Sequence, residues 1–261
     1  MKVSLIQLTS VLDYKKNLEK LEELLQVAKD NHSKMAFLPE CFYSLSDGTG
    51  PTPYLVSNNN EHYKNIQNLA KRFDLYLIGG SAATESEKGI LNRAYNFSPQ
   101  GEDLGHYDKR YLFSCDIVRD GKRKKVDEGD IYTRGQKEKL IDVDGWKIGL
   151  GICFDIRFPE LARSYRNQGA DILTFSSAFT VPTGQAHWHL LNRARAVENQ
   201  SYVISSAQWG NHNERVNTFG HSLCVDPWGD ILCDNGEAQN VMTATLSKER
   251  IQEVRQSVIM G

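Results

Sequence analysis

The stretch that decides the fold is KIGLGICFDIRFPE, residues 147–160. Its first six residues are mostly apolar or small and predict a buried β-strand. Polar residues follow at once, and residues 160–167 have the spacing of a short amphipathic helix. Cys153 stands where the strand ends. We therefore expect its thiol to lie on a sharp strand-to-helix turn at the edge of a sheet.

The alternation of strand and helix continues in both directions from this stretch. On the N-terminal side, the pattern predicts strands at 3–8, 35–38, 75–78 and 93–97, and a helix at 18–28. On the C-terminal side, it predicts strands at 172–175, 202–206, 222–225 and 241–246, and helices at about 186–198 and from residue 248. Two similar halves of this kind predict an α/β fold with two sheets packed face to face between outer helices. Because no linker divides the halves, we expect residues 1–261 to form a single domain.

Composition excludes several classes of function. The chain has 31 lysines and arginines against 33 aspartates and glutamates, so it has no field that would attract nucleic acid. Its five cysteines show no CxxC spacing, which favours a reducing, cytoplasmic compartment over a disulfide framework. No segment has the length of a membrane span, and the N-terminus lacks the pattern of a signal peptide. We expect a soluble protein that binds neither nucleic acid nor membrane.

Three residues are candidates for chemistry, and each also has a plain structural interpretation. Cys153 is suited to act as a nucleophile, with the backbone N–H of Phe154 facing an oxyanion, or it is an inert buried thiol. Glu40 follows a predicted strand, a position at which α/β sheets place catalytic groups, so it is a candidate general base. Its structural interpretation is a surface carboxylate. Lys109 follows a turn, and its ammonium is suited to stabilise an anion or to lie in solvent.

These three residues lie in segments that resemble the signature of one enzyme family. The segments are FLPE at 37–40, YDKRYLF at 107–113 and GICFDIRFPE at 151–160. In order and spacing they are similar to the three signature blocks of the nitrilase (carbon–nitrogen hydrolase) superfamily, over nearly the whole chain. The resemblance implies a four-layer α-β-β-α sandwich and a Glu-Lys-Cys catalytic group that needs no metal or organic cofactor.

The resemblance also implies a role for each residue of the site. Cys153 would be the nucleophile, Glu40 the general base and acid, and Lys109 and the Phe154 N–H the oxyanion donors. Glu128 matches a second glutamate that lies near the triad in this family, where it supports the triad or orients substrate. The plain alternative for Glu128 is one more charge in an acidic loop.

Other segments bear on the substrate. Residues 176–188, 193–196 and 207–212 are similar to the branch of the family that hydrolyses deaminated glutathione, and the related alternative is the ω-amidase branch, which acts on α-ketoglutaramate. Both substrates are small anionic α-keto acid amides, so a basic pocket is expected. The candidate cations are Arg157, Arg193 and Arg195, and the alternative for at least one of them is a helix-surface arginine paired with Glu160 or Glu198. The further candidates for substrate binding are Phe179, Thr183 and His187.

Three further expectations concern partners and alternatives. His187 and His189 do not share a helix face, and no Cys or carboxylate stands at ligand spacing from them, so we expect no metal site. The resemblance implies a homodimer formed through helices of the second half. Open alternatives are a nitrile or N-carbamoyl hydrolase, a non-catalytic binding protein, and a Cys-His-Asp hydrolase in which His221 and Asp226 support Cys153.

Overall fold

The computed structural model of the chain describes residues 1–119 and 122–260. The α-helices of these ranges are α1 (Tyr14–Asp30), α2 (Glu61–Phe73), α3 (Pro159–Asn167), α4 (Val181–Asn199) and α5 (Lys248–Ser257). The strands of the first half are β1 (Lys2–Gln7), β2 (Met35–Phe37), β3 (Tyr76–Ile78), β4 (Ser81–Ser86), β5 (Gly89–Ala94), β6 (Tyr107–Asp108), β7 (Ser114–Arg119) and β8 (Lys122–Asp127). The strands of the second half are β9 (Leu140–Val143), β10 (Trp146–Ile152), β11 (Ile172–Ser176), β12 (Tyr202–Ser205), β13 (Trp209–Asn211), β14 (Asn217–Phe219), β15 (Leu223–Val225), β16 (Ile231–Asp234) and β17 (Asn240–Thr245).

Two sheets form the centre of the molecule. One has the strand order β17-β1-β2-β3, with β1, β2 and β3 parallel, and the other has the order β16-β15-β12-β11-β10-β9, with β10, β11 and β12 parallel. A helix crosses over between successive parallel strands: α1 and α2 in the first half, α3 and α4 in the second. The predicted α/β alternation is therefore confirmed. No helix in the described ranges is long and apolar enough to cross a membrane.

Alternating side chains of β1 show how the layers stack. Val3 and Leu5 belong to an apolar cluster that also contains Leu150 and Phe175 of the second sheet. Ile6 points the other way, into a cluster formed with α1 and α2. Each fully buried aliphatic side chain of this kind contributes about 1.5–3 kcal/mol. The period of two along the strand thus builds the predicted four-layer α-β-β-α sandwich.

Local structure departs from the sequence-based prediction in two places. Helix α4 begins at Val181 and not near 186, and Pro182 lies in its first turn. Proline is tolerated there because the N–H groups of the first turn have no acceptor within the helix, so the N–H that proline lacks is not needed. The hairpins β4–β5 and β7–β8 were not predicted. Both matter for the site, because β5 carries Asn92 and β8 leads directly into Glu128.

Candidate active site

The strand-to-helix turn at Cys153 is strained and firmly held. The φ of Cys153 is +48°, a left-handed conformation that raises the energy of a non-glycine residue by about 1–3 kcal/mol. The buried carboxylate of Asp155 accepts hydrogen bonds from the N–H of Ile152 (2.9 Å), the N–H of Tyr111 (2.9 Å) and the hydroxyl of Tyr107 (2.8 Å). These bonds join the turn at Cys153 to the segment that carries Lys109.

Glu40 is buried just beyond β2 and is held through one oxygen. Its Oε1 accepts a hydrogen bond from Nζ of Lys109 and another from Nδ2 of Asn92, both 2.8 Å long. Within residues 1–119 and 122–260, no group donates a hydrogen bond to its Oε2. The second oxygen is therefore the one available to accept a proton.

Lys109 lies between two carboxylates and has no exposed surface. Its Nζ is 2.8 Å from Oε1 of Glu40 and 2.8 Å from Oε2 of Glu128. Its backbone N–H donates to the carbonyl of Asn92 (2.9 Å), and its carbonyl accepts from the N–H of Gly135 (2.8 Å). Burial alone would lower the pKa of Lys109, but Glu128 and Glu40 raise it well above its usual value, so the group stays an ammonium.

The structure brings Glu128 to this cluster rather than leaving it in an acidic loop. Its Oε2 accepts the N–H of Phe113 at 2.7 Å, and its backbone N–H donates to the carbonyl of Phe113 at 2.9 Å. Burial raises the pKa of Glu128, the Lys109 ammonium opposes that shift, and the nearby Glu40 carboxylate adds to it. The second glutamate thus completes the partners of Lys109.

The surroundings of the Cys153 thiol favour its neutral form over the thiolate, because they raise its pKa. Burial raises its pKa well above the usual value, and the Glu40 carboxylate raises it further. Lys109 and a backbone hydrogen bond from Ala178 lower it, but they do not outweigh burial. Any attack by this sulfur therefore requires a base that removes the proton during the reaction.

A cavity of about 570 Å³ opens above Glu40, Cys153 and Glu128. Its walls include four aromatic side chains and three cations. The aromatic side chains are those of Phe113, Tyr132, Phe154 and Phe179, and the cations are Lys125, Arg157 and Arg215. Of the residues predicted to bind substrate, Phe154, Arg157, Phe179 and Thr183 line this cavity.

Arg157 is a cation without an anionic partner in the described part of the chain. Its guanidinium carbon lies 5.6 Å from the ring centre of Phe154 and 5.3 Å from that of Phe179. Its Nε is buried and has no hydrogen-bond partner there, while Nη2 contacts Nδ1 of His187 at 3.3 Å. Burial lowers its pKa, as expected for an uncompensated charge. This geometry suits a ligand carboxylate.

Three residues predicted for the pocket lie outside its lining. Arg193 donates to the carbonyl of Gly229 (2.9 Å), and Arg195 donates to the carbonyl of Ile156 (2.8 Å) and pairs with Glu198. Both side chains are held by structural bonds outside the cavity lining, so the expectation of two further pocket cations is wrong. The alternative, a helix arginine paired with Glu198, is confirmed for Arg195. His187 is exposed and reaches the cavity only through Arg157.

The Cys-His-Asp alternative does not match the structure. His221 is bonded to Asp234 at 2.9 Å, and Asp226 to Arg250 at 2.8 Å. Neither His221 nor Asp226 lines the cavity that contains Cys153. The charged groups that act on the pKa of the thiol are Glu40 and Lys109.

Four residues of the site were missed by sequence reasoning. Asn92 holds Glu40, Tyr132 lines the cavity, and Lys125 and Arg215 add charge to its wall. None of them belongs to one of the three signature segments. Arg215 lies in a polar loop, where a single arginine gives no signal of its own.

Comparison with known proteins finds relatives along nearly the whole chain. The chain matches the family model described as carbon-nitrogen hydrolase over residues 2–256. It is 37% identical over 260 residues to a deaminated glutathione amidase of Synechocystis sp., covering 97% of this chain and 94% of that protein. It is 33% identical over 257 residues to omega-amidase NIT2-A of Xenopus laevis, covering 98% and 92%. The crystal structure of Saccharomyces cerevisiae Nit3, a member of branch 10 of the nitrilase superfamily, superposes with a TM-score of 0.89 at 33% identity, covering 100% of this chain and 94% of that one. The chain belongs to the carbon–nitrogen hydrolase family.

Proposed function

We propose that this protein is a thiol amidase that hydrolyses a small anionic α-keto acid amide, first of all deaminated glutathione, to the acid and ammonia. The observation that carries the proposal is a cavity lined by Glu40, which the buried Lys109 holds from behind, and by Cys153. The wall of this cavity also contains Arg157, for which the described residues provide no anionic partner. The names of the two relatives support an amide substrate and make α-ketoglutaramate the second candidate. A cavity of about 570 Å³ has room for the larger of the two compounds.

The first half-reaction forms an acyl-enzyme. As Sγ of Cys153 attacks the amide carbonyl carbon, Oε2 of Glu40 takes the thiol proton and the carbonyl π electrons move to oxygen. The Lys109 ammonium and the N–H of Phe154, in the first turn after the nucleophile, stabilise that oxyanion. Glu40 then gives its proton to the amide nitrogen, the C–N bond breaks, and ammonia leaves an acyl thioester.

The second half-reaction releases the acid. A water molecule gives a proton to Glu40 and attacks the thioester carbonyl, which forms a second oxyanion at the same donors. When this intermediate collapses, the C–S bond breaks and the sulfur recovers the proton from Glu40. Glu40 thus acts as base and acid in each half, through the oxygen that Asn92 and Lys109 leave free.

Further parts of the proposal concern the whole protein. We propose that residues 1–261 work as one catalytic domain in the cytoplasm and that two copies form a homodimer. Five free thiols support a reducing compartment. The exposed side chains of Leu190 and Val197 on α4 and of Trp228 in a nearby turn support contact with a second copy. Light scattering after size-exclusion chromatography tests the dimer.

Ammonia release tests the activity. We expect wild-type protein to release ammonia from deaminated glutathione faster than from α-ketoglutaramate, and far faster than from glutamine or a simple nitrile. The Cys153→Ala variant should release none. Turnover of the nitrile alone, or equal turnover by the variant, would refute the assignment.

Arg157 tests the charge of the substrate. In Arg157→Gln, the KM for anionic amides should rise by about 10- to 150-fold, because a charge-assisted bond of about 1.5–3 kcal/mol is lost. The kcat should change much less. Arg163→Gln, an exposed arginine on α3, is the matched control. An unchanged KM in Arg157→Gln would mean that the acyl carboxylate binds elsewhere.

A further inference from the structure

A cluster of two histidines and one aspartate lies outside the cavity and takes no part in the proposed reaction. Nε2 of His189 is 2.9 Å from Oδ2 of Asp234, and Nδ1 of His221 is 2.9 Å from Oδ1 and 3.1 Å from Oδ2 of the same carboxylate. The ligand atoms of the three residues all lie within 4.8 Å of one another. None of the three lines the cavity above Cys153.

The cluster is assembled from three separate parts of the chain. His189 is on α4, Asp234 ends β16, and His221 lies between β14 and β15. Spacing along the sequence therefore gave no sign of it, and the expectation of no metal site considered only residues near His187. Convergence of two imidazoles and one carboxylate from distant segments is the usual make-up of a transition-metal site.

The position of His221 is fixed before any ligand binds. Its φ is +56°, a left-handed conformation that is uncommon for a residue with a side chain. Its carbonyl accepts a hydrogen bond from Nε1 of Trp188 (2.7 Å), and its N–H donates to the carbonyl of Gly236 (3.1 Å). Its ring stacks on Phe219, with centres 4.4 Å apart and an interplanar angle of 22°. The ring is thus held with Nδ1 directed at Asp234.

Groups next to His221 and Asp234 bear on how these two side chains would hold a metal ion. A carboxylate that accepts a hydrogen bond from the other ring nitrogen commonly orients a ligating histidine. Oε1 of the exposed Glu237 is 4.0 Å from Nε2 of His221 and has to move closer to make that bond. One oxygen of Asp234 also accepts the N–H of Gly236 at 2.9 Å, which steadies the carboxylate. His189 and Asp234 are partly exposed, so an ion can enter from solvent.

We propose that His189, His221 and Asp234 bind one divalent ion of the zinc class, with water completing its coordination. The donor set of two imidazole nitrogens and one carboxylate oxygen suits Zn²⁺, Co²⁺ and Ni²⁺ better than Mg²⁺ or Ca²⁺. Tetrahedral zinc places neighbouring ligand atoms about 3.3 Å apart. The two His–Asp distances of 2.9 Å need to lengthen by a few tenths of an ångström, and the two imidazole nitrogens, which lie within 4.8 Å of each other, need to take up the same spacing. The bound ion takes the place of the His189–Asp234 and His221–Asp234 hydrogen bonds. It joins α4 to β16 and therefore stabilises the fold without entering the reaction.

Calorimetric titration with Zn²⁺ alone tests the site. The Cys153→Ala protein is the parent, because it lacks the active-site thiol as a competing ligand. We expect one ion per chain in the parent, and at least about 100-fold weaker binding in His221→Asn and in Asp234→Asn, because loss of even an outer-shell partner weakens metal binding by 10- to 100-fold. Zn²⁺ should raise the Tm of the parent and leave the Tm of both variants unchanged.

The control is His32→Asn. His32 is an exposed histidine with the same left-handed backbone, φ +58°, and asparagine tolerates that conformation at both positions. Should His221→Asn fail to fold, His189→Gln on the surface of α4 replaces it. Lack of saturable binding by the parent, or binding that is equally strong in the cluster variants and in His32→Asn, overturns the proposal.

Discussion

The Asn92→Leu substitution tests whether the orientation of Glu40 limits the reaction. Asn92 is buried on β5, and its Nδ2 donates one of the two hydrogen bonds on Oε1 of Glu40. Leucine has a similar size and no donor. In the variant, Lys109 alone holds that oxygen, and the carboxylate is free to rotate away from the thiol.

The structure sets the size of the effect on rate. A hydrogen bond to an ionised group contributes about 1.5–3 kcal/mol. If this bond is needed in the transition state, its loss lowers kcat by about 10- to 150-fold, at 1.36 kcal/mol for each factor of ten. The KM should change little, because Asn92 does not line the cavity.

Stability should respond in a different way. The Oδ1 atom of Asn92 is buried without a hydrogen-bond partner in the described structure, which is unfavourable by about 1–3 kcal/mol. Leucine removes this atom together with the donor, so the two effects nearly cancel. We expect the free energy of unfolding to change by less than about 1 kcal/mol while kcat falls.

The assay is steady-state ammonia release combined with urea unfolding, and Asn96→Leu is the control. Asn96 is equally buried, but it bonds the carbonyl of Gly105 (2.8 Å) and the N–H of Gly79 (2.9 Å), away from the triad. This control should lose stability and keep the kcat of its folded fraction. A wild-type kcat in Asn92→Leu would refute the reasoning, because Lys109 would then suffice to orient Glu40.

Three further predictions follow from the charges of the site. Burial raises the pKa of Asp155 to about 6, although the hydrogen bonds that it accepts act to lower it. Protonation of Asp155 therefore favours the folded state, and this contribution to the free energy of unfolding is complete below about pH 4 and lost as the pH rises through 6. The stability of the wild type relative to Asp155→Asn should therefore fall by about 3 kcal/mol over this range in urea unfolding, and a constant difference would contradict the assignment. Because burial raises the pKa of Cys153, the rate of its alkylation by iodoacetamide should still be rising at pH 9, and a plateau near pH 7 would show a resting thiolate. Lys109→Met should abolish turnover and destabilise the protein by about 3–5 kcal/mol in urea unfolding, because the buried Glu40 and the half-buried Glu128 lose their shared cation. Adding Glu128→Gln should restore part of that stability but no activity.

Local patterns predicted the residues that stand at the ends of strands. Cys153 and Glu40 each follow an apolar run, so the end of the strand and the place of the side chain can both be read from neighbouring residues. The signature segments then connected Lys109 to them. The four-layer arrangement was also predictable, because it follows from the alternation of strands and helices.

Contacts between distant residues were not predictable in this way. Asn92 meets Glu40 across 52 positions, and His189 meets Asp234 across 45. Such pairs depend on strand register and on the tilt of helices, which no local pattern encodes. Arg193 was misjudged for the same reason, since only its position on α4 decides whether it reaches the cavity or the carbonyl of Gly229.

The arrangement of Lys109 between two carboxylates has a consequence for ionic strength. In the proposed reaction, negative charge moves from Glu40 to the substrate oxygen and back, always beside the same fully buried ammonium. The total charge of this group does not change during the chemical step, and bulk ions do not reach it. Added salt should therefore leave kcat nearly constant, while it raises KM by screening the exposed cations Lys125 and Arg215 at the cavity. Salt thus separates the recognition of the substrate from its conversion.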